Sequence, residues 1–154
     1  MSDIYLNIYN NLIKLTRNKK LYNYKKEDTF YDRMIIFFFH LSFLLKINKN
    51  IETKENLQNF FDYCVRQIEL SIREIGYGDA TINKKMKEYV NLLFSIIDKI
   101  NDWETKNINE KKDILNIYID TSQNNENIVN YFEKYRNFLV KNSFNNLAKD
   151  ILTQ

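Results

Sequence analysis

Apolar positions recur at steps of three and four along most of this chain, and a strand-like alternation is nowhere sustained. Ile4, Ile8, Leu12 and Leu15, with Tyr5 and Tyr9 beside them, predict an amphipathic helix from about Asp3 to Leu15. The run from Met34 to Leu45 is apolar on every side, as expected of a helix enclosed by others. It is shorter than the roughly 20 apolar residues a bilayer span needs. Asp32 and Arg33 close it on one side and Lys46 to Lys49 on the other. The competing reading of this run is a surface that dips into a membrane or grips an apolar partner. Asp28 or Thr29 is suited to cap the helix, and Asp32 falls in its first turn, where the macrodipole favours an acid.

A second long helix is predicted from about Lys54 to Ile75, with Leu57, Phe61, Cys64, Val65, Ile68, Ile72 and Ile75 on one stripe. Thr53 followed by Asn56 makes only a poor capping box at its start. Asp62/Arg66 and Glu69/Arg73 place the acid four residues before the base, the favourable order on a helix. Tyr63 and Leu70 share another face, where they either pack under a neighbouring helix or form an exposed apolar patch. Gly76 can end the helix in a left-handed conformation without a Cβ penalty. After Gly78, Asp79 or Thr81 is expected to cap a helix whose stripe is Ile82, Met86, Tyr89, Leu93, Ile97 and Ile100. Lys84 and Lys85 are expected in its first turn, against the dipole, as a contact for an anionic partner or as a solvated basic end. Beyond Trp103, residues 107–112 read as a polar linker, and Ile114, Leu115 and Tyr118 as a short helix. Thr121 to Asn125 reads as a turn, with a helix over Ile128, Phe132, Tyr135, Phe138 and Leu139 and a last short one over Phe144, Leu147 and Ile151. The predicted fold is all-α, a single-domain irregular bundle of about six to seven helices around a central apolar one. Residues 104–154 would pack as C-terminal helices on residues 1–103.

Composition sharpens this picture. The 154 residues include no proline and two glycines, so long helices meet few breakers. Aromatic residues at 15% argue for a packed interior rather than disorder. The net charge of +3 is too small to imply nucleic acid, and no DNA partner is expected. Lys14, Arg17, Lys19, Lys20, Lys25 and Lys26 nevertheless cluster with few acids among them. They are either a solvated helix end and loop or a contact for anionic lipid headgroups or ribosomal RNA. Cys64 is the sole cysteine and His40 the sole histidine, so neither an internal disulfide nor a multidentate metal site can be built on them. Cys64 is expected to be a buried, inert thiol, and His40 a core residue bonded to a carbonyl or carboxylate. No Ser/His/Asp order, HExxH, P-loop or glycine-rich Rossmann turn is present, so no catalytic residue, metal or cofactor is assigned.

Arg73-Glu74-Ile75-Gly76-Tyr77-Gly78-Asp79, followed by Lys84-Lys85, resembles the signature of the ubiquinol–cytochrome c chaperone family, whose members assist assembly of cytochrome b into respiratory complex III. Asp28-Thr29-Phe30-Tyr31-Asp32-Arg33 with His40-Leu41 resembles the family's upstream block. The similarity fades after about Trp103, leaving residues 1–103 as the family-like core. Glu69 stands where the family usually has aspartate, Leu70 where a basic residue is frequent and Asn83 where glycine is common.

The resemblance implies a non-catalytic chaperone that holds newly made cytochrome b, as mitochondrial members do with a small helical partner and near the ribosome's exit. Such a protein needs exposed apolar surface with a polar rim. Tyr63, Leu70 and Tyr77 are the candidates for apolar contact, and Arg73, Glu74, Asp79, Lys84 and Lys85 for the rim. The alternative is that Gly76 and Gly78 only shape the turn while Arg73, Glu74 and Asp79 pin it. Asp28, Asp32, Arg33 and His40 read as structural. Two other functions stay open: a basic membrane-surface or RNA-binding module, and a haem or quinone carrier with His40 as a single axial haem ligand. The opening MSDIYLNIYNN resembles neither a signal peptide nor a presequence. The expected location is the bacterial cytoplasm beside the inner membrane, or the mitochondrial matrix if a leader has been removed.

Overall fold

A computed structural model describes residues 2–22, 30–119 and 125–152. The fold is all-α, with no strand among the described residues. Its helices are α1 (Ser2–Thr16), α2 (Phe30–Asn48), α3 (Lys54–Ile75), α4 (Asp79–Lys99), α5 (Ile108–Tyr118) and α6 (Asn125–Lys141). Three 3-10 turns, Lys19–Tyr22, Trp103–Thr105 and Asn145–Ala148, complete the described chain. The expected caps Asp28 and Thr29 and the expected turn at residues 121–124 lie outside the described residues, as do Lys25 and Lys26.

Helix α2 is the centre, and its composition is the reason. Every residue from Met34 to Leu44 is buried, because α1, α4 and α6 pack around it. A helix apolar on all sides can satisfy its surface only by being enclosed. Helix α3 lies between α1 and α4 and buries Leu57, Phe60, Cys64, Ile68 and Ile72. Here the expected stripe is corrected. Phe60 is fully buried against Tyr5 and Phe144, with ring centroids 5.5 and 5.4 Å away. Phe61 is half-buried and stacks 5.6 Å from Phe94. Two consecutive phenylalanines point about 100° apart on a helix, so each meets a different neighbour. Ile75 is 53% exposed, since the last turn of α3 runs past the packed body.

The helix ends hold two further corrections. Asn107 is not linker: its side chain accepts from the Glu110 backbone N–H while Glu110 returns the bond, a capping box that starts α5 at Ile108. The final segment is a 3-10 turn on α1, with Asn11 Nδ2 donating to the Leu147 carbonyl at 2.8 Å. At α3, Thr53 caps by accepting from the Asn56 N–H at 3.1 Å, and Asn56 Nδ2 is held by Glu52 at 2.9 Å.

The C-terminal helices contribute side chains to the same apolar core as the rest of the chain. Trp103 is fully buried, its ring 5.2 Å from Phe43 of α2 and its indole N–H donating to Glu133 of α6 at 2.9 Å. Glu104 then takes Lys46 of α2 at 2.6 Å and Arg136 of α6 at 3.1 Å. Burial alone would raise the Glu104 carboxyl, but these two cations outweigh it and hold it below its ordinary range.

Candidate functional site

The turn between α3 and α4 is built by one backbone requirement. Gly76 has φ 101°, left-handed, and its N–H donates to the Arg73 carbonyl at 3.0 Å. An L-residue resists that conformation; glycine does not. Gly78 is extended (φ −72°, ψ 161°) and is itself the N-cap, so neither Asp79 nor Thr81 caps α4 as expected. Asp79 is instead the first helical residue, and Arg73 Nη1 reaches across the turn to its carboxylate at 3.0 Å. Behind it Arg73 lies 3.9 Å from Glu69, and Arg66 3.0 Å from Glu69, a ladder of charge along α3. Because α4 begins at Asp79, Lys84 and Lys85 fall in its second turn rather than its first. Lys85 Nζ stands 4.8 Å from the Tyr77 ring, close enough for cation–π attraction.

Around this turn the surface is mixed. Leu70, Ile75 and Tyr77 are 39, 53 and 42% exposed, interspersed with exposed Arg73, Glu74, Asp79 and Lys84. Tyr63 is placed elsewhere: half-buried, it packs against Tyr5 and Tyr9 of α1, with centroids 6.0 and 6.2 Å away. The hairpin thus brings together Leu70, Arg73, Glu74, Tyr77, Asp79, Lys84 and Lys85, and leaves Tyr63 in a helix seam.

A cleft of about 530 Å³ opens beside it, where α1 ends, α2 begins and α3 nears its turn. Its apolar walls are Ile13, Phe30, Met34, Phe37 and Ile68; Tyr9, Asn10, Thr16 and Ser71 are polar, and Lys14, Arg17 and Arg33 are cationic. No carboxylate lines it among the described residues. Burial, with Cys64 and Tyr63 nearby, pushes the Tyr9 phenol up to about 12, so it remains a hydrogen-bond donor. The basic cluster signalled this rim in the sequence. The walls carried no signal, since they come from three helices whose divergence the periodicity does not encode.

The upstream block divides between core and cleft. His40 is fully buried, its Nδ1–H donating to the Ile36 carbonyl at 2.8 Å and its Nε2 accepting from the Tyr131 hydroxyl at 2.6 Å. The Tyr135 hydroxyl donates to the His40 backbone carbonyl at 3.0 Å. Burial lowers the imidazole to about 4, so it is neutral at physiological pH. Both ring nitrogens are occupied within the core, which is the expected core histidine; an iron at Nε2 would have to displace Tyr131. Asp32 is buried in the first turn of α2, Arg33 lines the cleft, and Asp28 lies outside the described residues. Cys64 is buried too, and its thiol is pushed up by burial, away from nucleophilic chemistry. No group of His, Cys, Asp and Glu among the described residues is fit to hold a metal ion. No helix of the described chain is long and apolar enough to cross a membrane.

The family model described as "Ubiquinol-cytochrome C chaperone" matches residues 23–102, which contain the whole of α2, α3 and α4 and the hairpin between the last two. The crystal structure of the Cbp3 homolog from Brucella abortus has the same fold, with a TM-score of 0.77 over 96% of this chain and 87% of that one, at 21% identity. Peptide chain release factor 2 of Buchnera aphidicola subsp. Schizaphis graminum is 38% identical over 86 residues, 51% of this chain. The present chain spans only 23% of that relative's length, so that protein's activity is not carried over.

Proposed function

The chain belongs to the ubiquinol–cytochrome C chaperone family, and from that premise we propose that it binds newly made cytochrome b and promotes its assembly into respiratory complex III. One observation carries this reading to a surface. Within the matched segment, the hairpin presents Leu70, Ile75 and Tyr77 to solvent between the charges of Arg73, Glu74, Asp79 and Lys84. Solvent exposure of large apolar side chains beside a polar rim suits the capture of an apolar polypeptide before it enters a membrane. The glycine turn keeps that surface in one geometry, so part of the ordering cost of binding is already met in the free protein.

On this reading the protein transforms nothing chemically. It works with its client at a membrane surface, in the bacterial cytoplasm or the mitochondrial matrix, with a second small helical assembly factor and the ribosome as further contacts. The basic residues Lys14, Arg17, Lys19 and Lys20 favour such an anionic neighbourhood. Deleting the gene should lower assembled cytochrome b and complex III activity while other respiratory complexes are spared. Unchanged complex III in the deletion strain would refute the proposal.

A further inference from the structure

The cleft at the end of α1 has a composition that capture of a polypeptide by the hairpin does not use. Its volume of about 530 Å³ falls within the range of small-molecule sites, and its make-up is theirs: apolar walls with a few polar groups at defined places. Phe37 and Ile68 form walls, Ser71 and Tyr9 supply hydroxyls, and Lys14 and Arg17 supply positive charge at the rim. Lys14 and Arg17 form no ion pair among the described residues, in contrast to Arg73 of the hairpin and the two cations of the Glu104 clamp. From Ile4 to Lys26 the chain contains no acid, so Lys14 and Arg17 have no counter-charge in their own stretch of sequence. Cations concentrated over an apolar hollow attract a molecule that is anionic at one end and apolar at the other.

We propose that this cleft binds a single-chain anionic amphiphile, of the fatty-acid or lysophospholipid class, with its chain against Phe37 and Ile68 and its headgroup at Lys14 and Arg17. The site is separate from the hairpin surface and does not depend on the identity of the client.

Titration with cis-parinarate, a fluorescent fatty-acid anion, at monomeric concentration tests this on the full chain. Saturable binding of one equivalent is expected, with the uncharged methyl ester binding about tenfold more weakly, as the loss of one charged hydrogen bond implies. The double variant Lys14→Glu/Arg17→Glu, altered only at exposed side chains, should lose about tenfold or more for the anion and little for the ester. Ser71→Phe, which fills the cleft, should abolish binding of both probes while the circular dichroism spectrum is kept. Equal affinity for anion and ester, an unaffected double variant, or no saturable binding would overturn the proposal. Co-sedimentation with phosphatidylglycerol vesicles separates the two sources of an anionic headgroup. Sedimentation lost in the double variant but kept in Ser71→Phe, together with parinarate binding lost in both, supports a cleft for a free amphiphile. Sedimentation of wild type without parinarate binding assigns the cations to a membrane surface and refutes the cleft.

Discussion

Acid should weaken this protein through His40, and the size of the effect follows from its burial. In an unfolded chain the imidazole titrates at its ordinary 6.5; in the fold, enclosed by α2 and α6, it titrates at about 4. Between those values the unfolded chain binds a proton that the folded chain refuses, so stability rises with pH across that window. The contribution is fully present above about pH 6.5, is lost as pH falls toward about 4, and stays lost below it. That gap, at roughly 1.4 kcal/mol per pH unit, amounts to about 3 kcal/mol. That is a large share of the roughly 5–15 kcal/mol that holds a domain folded. Urea unfolding of wild type and His40→Gln, followed by circular dichroism in steps from about pH 7 to about pH 4, isolates this group from the carboxylates. At neutral pH the variant should be less stable by about 1–3 kcal/mol, because Ile36 and Tyr131 lose well-placed partners. Toward pH 4 the gap should close and then reverse, since only wild type carries the acid penalty. A difference that stays constant to within about 0.5 kcal/mol across the range would refute the neutral, enclosed histidine.

Other perturbations probe the hairpin and the core. Gly76→Ala should cost about 1–2 kcal/mol in thermal unfolding because an L-residue must take φ 101°, although no atom stands within 4 Å of the new Cβ. Gly78→Ala, two residues on at φ −72°, should change stability by under about 0.5 kcal/mol, so equal costs at the two positions would refute the backbone argument. Arg73→Ala should cost under about 1 kcal/mol despite breaking the contacts to Asp79 and Glu69, since Arg73 and Asp79 are exposed and Glu69 is only partly buried; a larger loss would mean that the turn depends on them. Leu70→Asp and Tyr77→Asp, at exposed positions, should leave stability within about 0.5 kcal/mol yet lower cytochrome b in a complementation assay, and full complementation would remove the hairpin from the contact surface. Cys64 should resist a maleimide in the native protein and react only on opening of the core; rapid native labelling would contradict its burial.

Much of this architecture is written locally. The span of α3 from Lys54 to Ile75, the left-handed stop at Gly76 and the enclosure of α2 follow from periodicity and one glycine, because hydrogen bonds and side chains within a few residues decide them. The family signature is local as well, a run of residues around a single turn.

What the sequence left open depends on neighbours distant along the chain. Whether Phe60 or Phe61 faces the core was set by α1 and the Asn145–Ala148 turn on one flank of α3 and by α4 on the other. His40 found its partners in Tyr131 and Tyr135, some ninety residues away, and a lone histidine in an apolar run cannot announce them. Tyr63 and Leu70 share a face and a spacing, yet one lies under α1 and the other in solvent, because α1 covers α3 at Tyr63 and not at Leu70. Periodicity records which way a side chain points, and only the packing of whole helices decides whether anything is there to meet it.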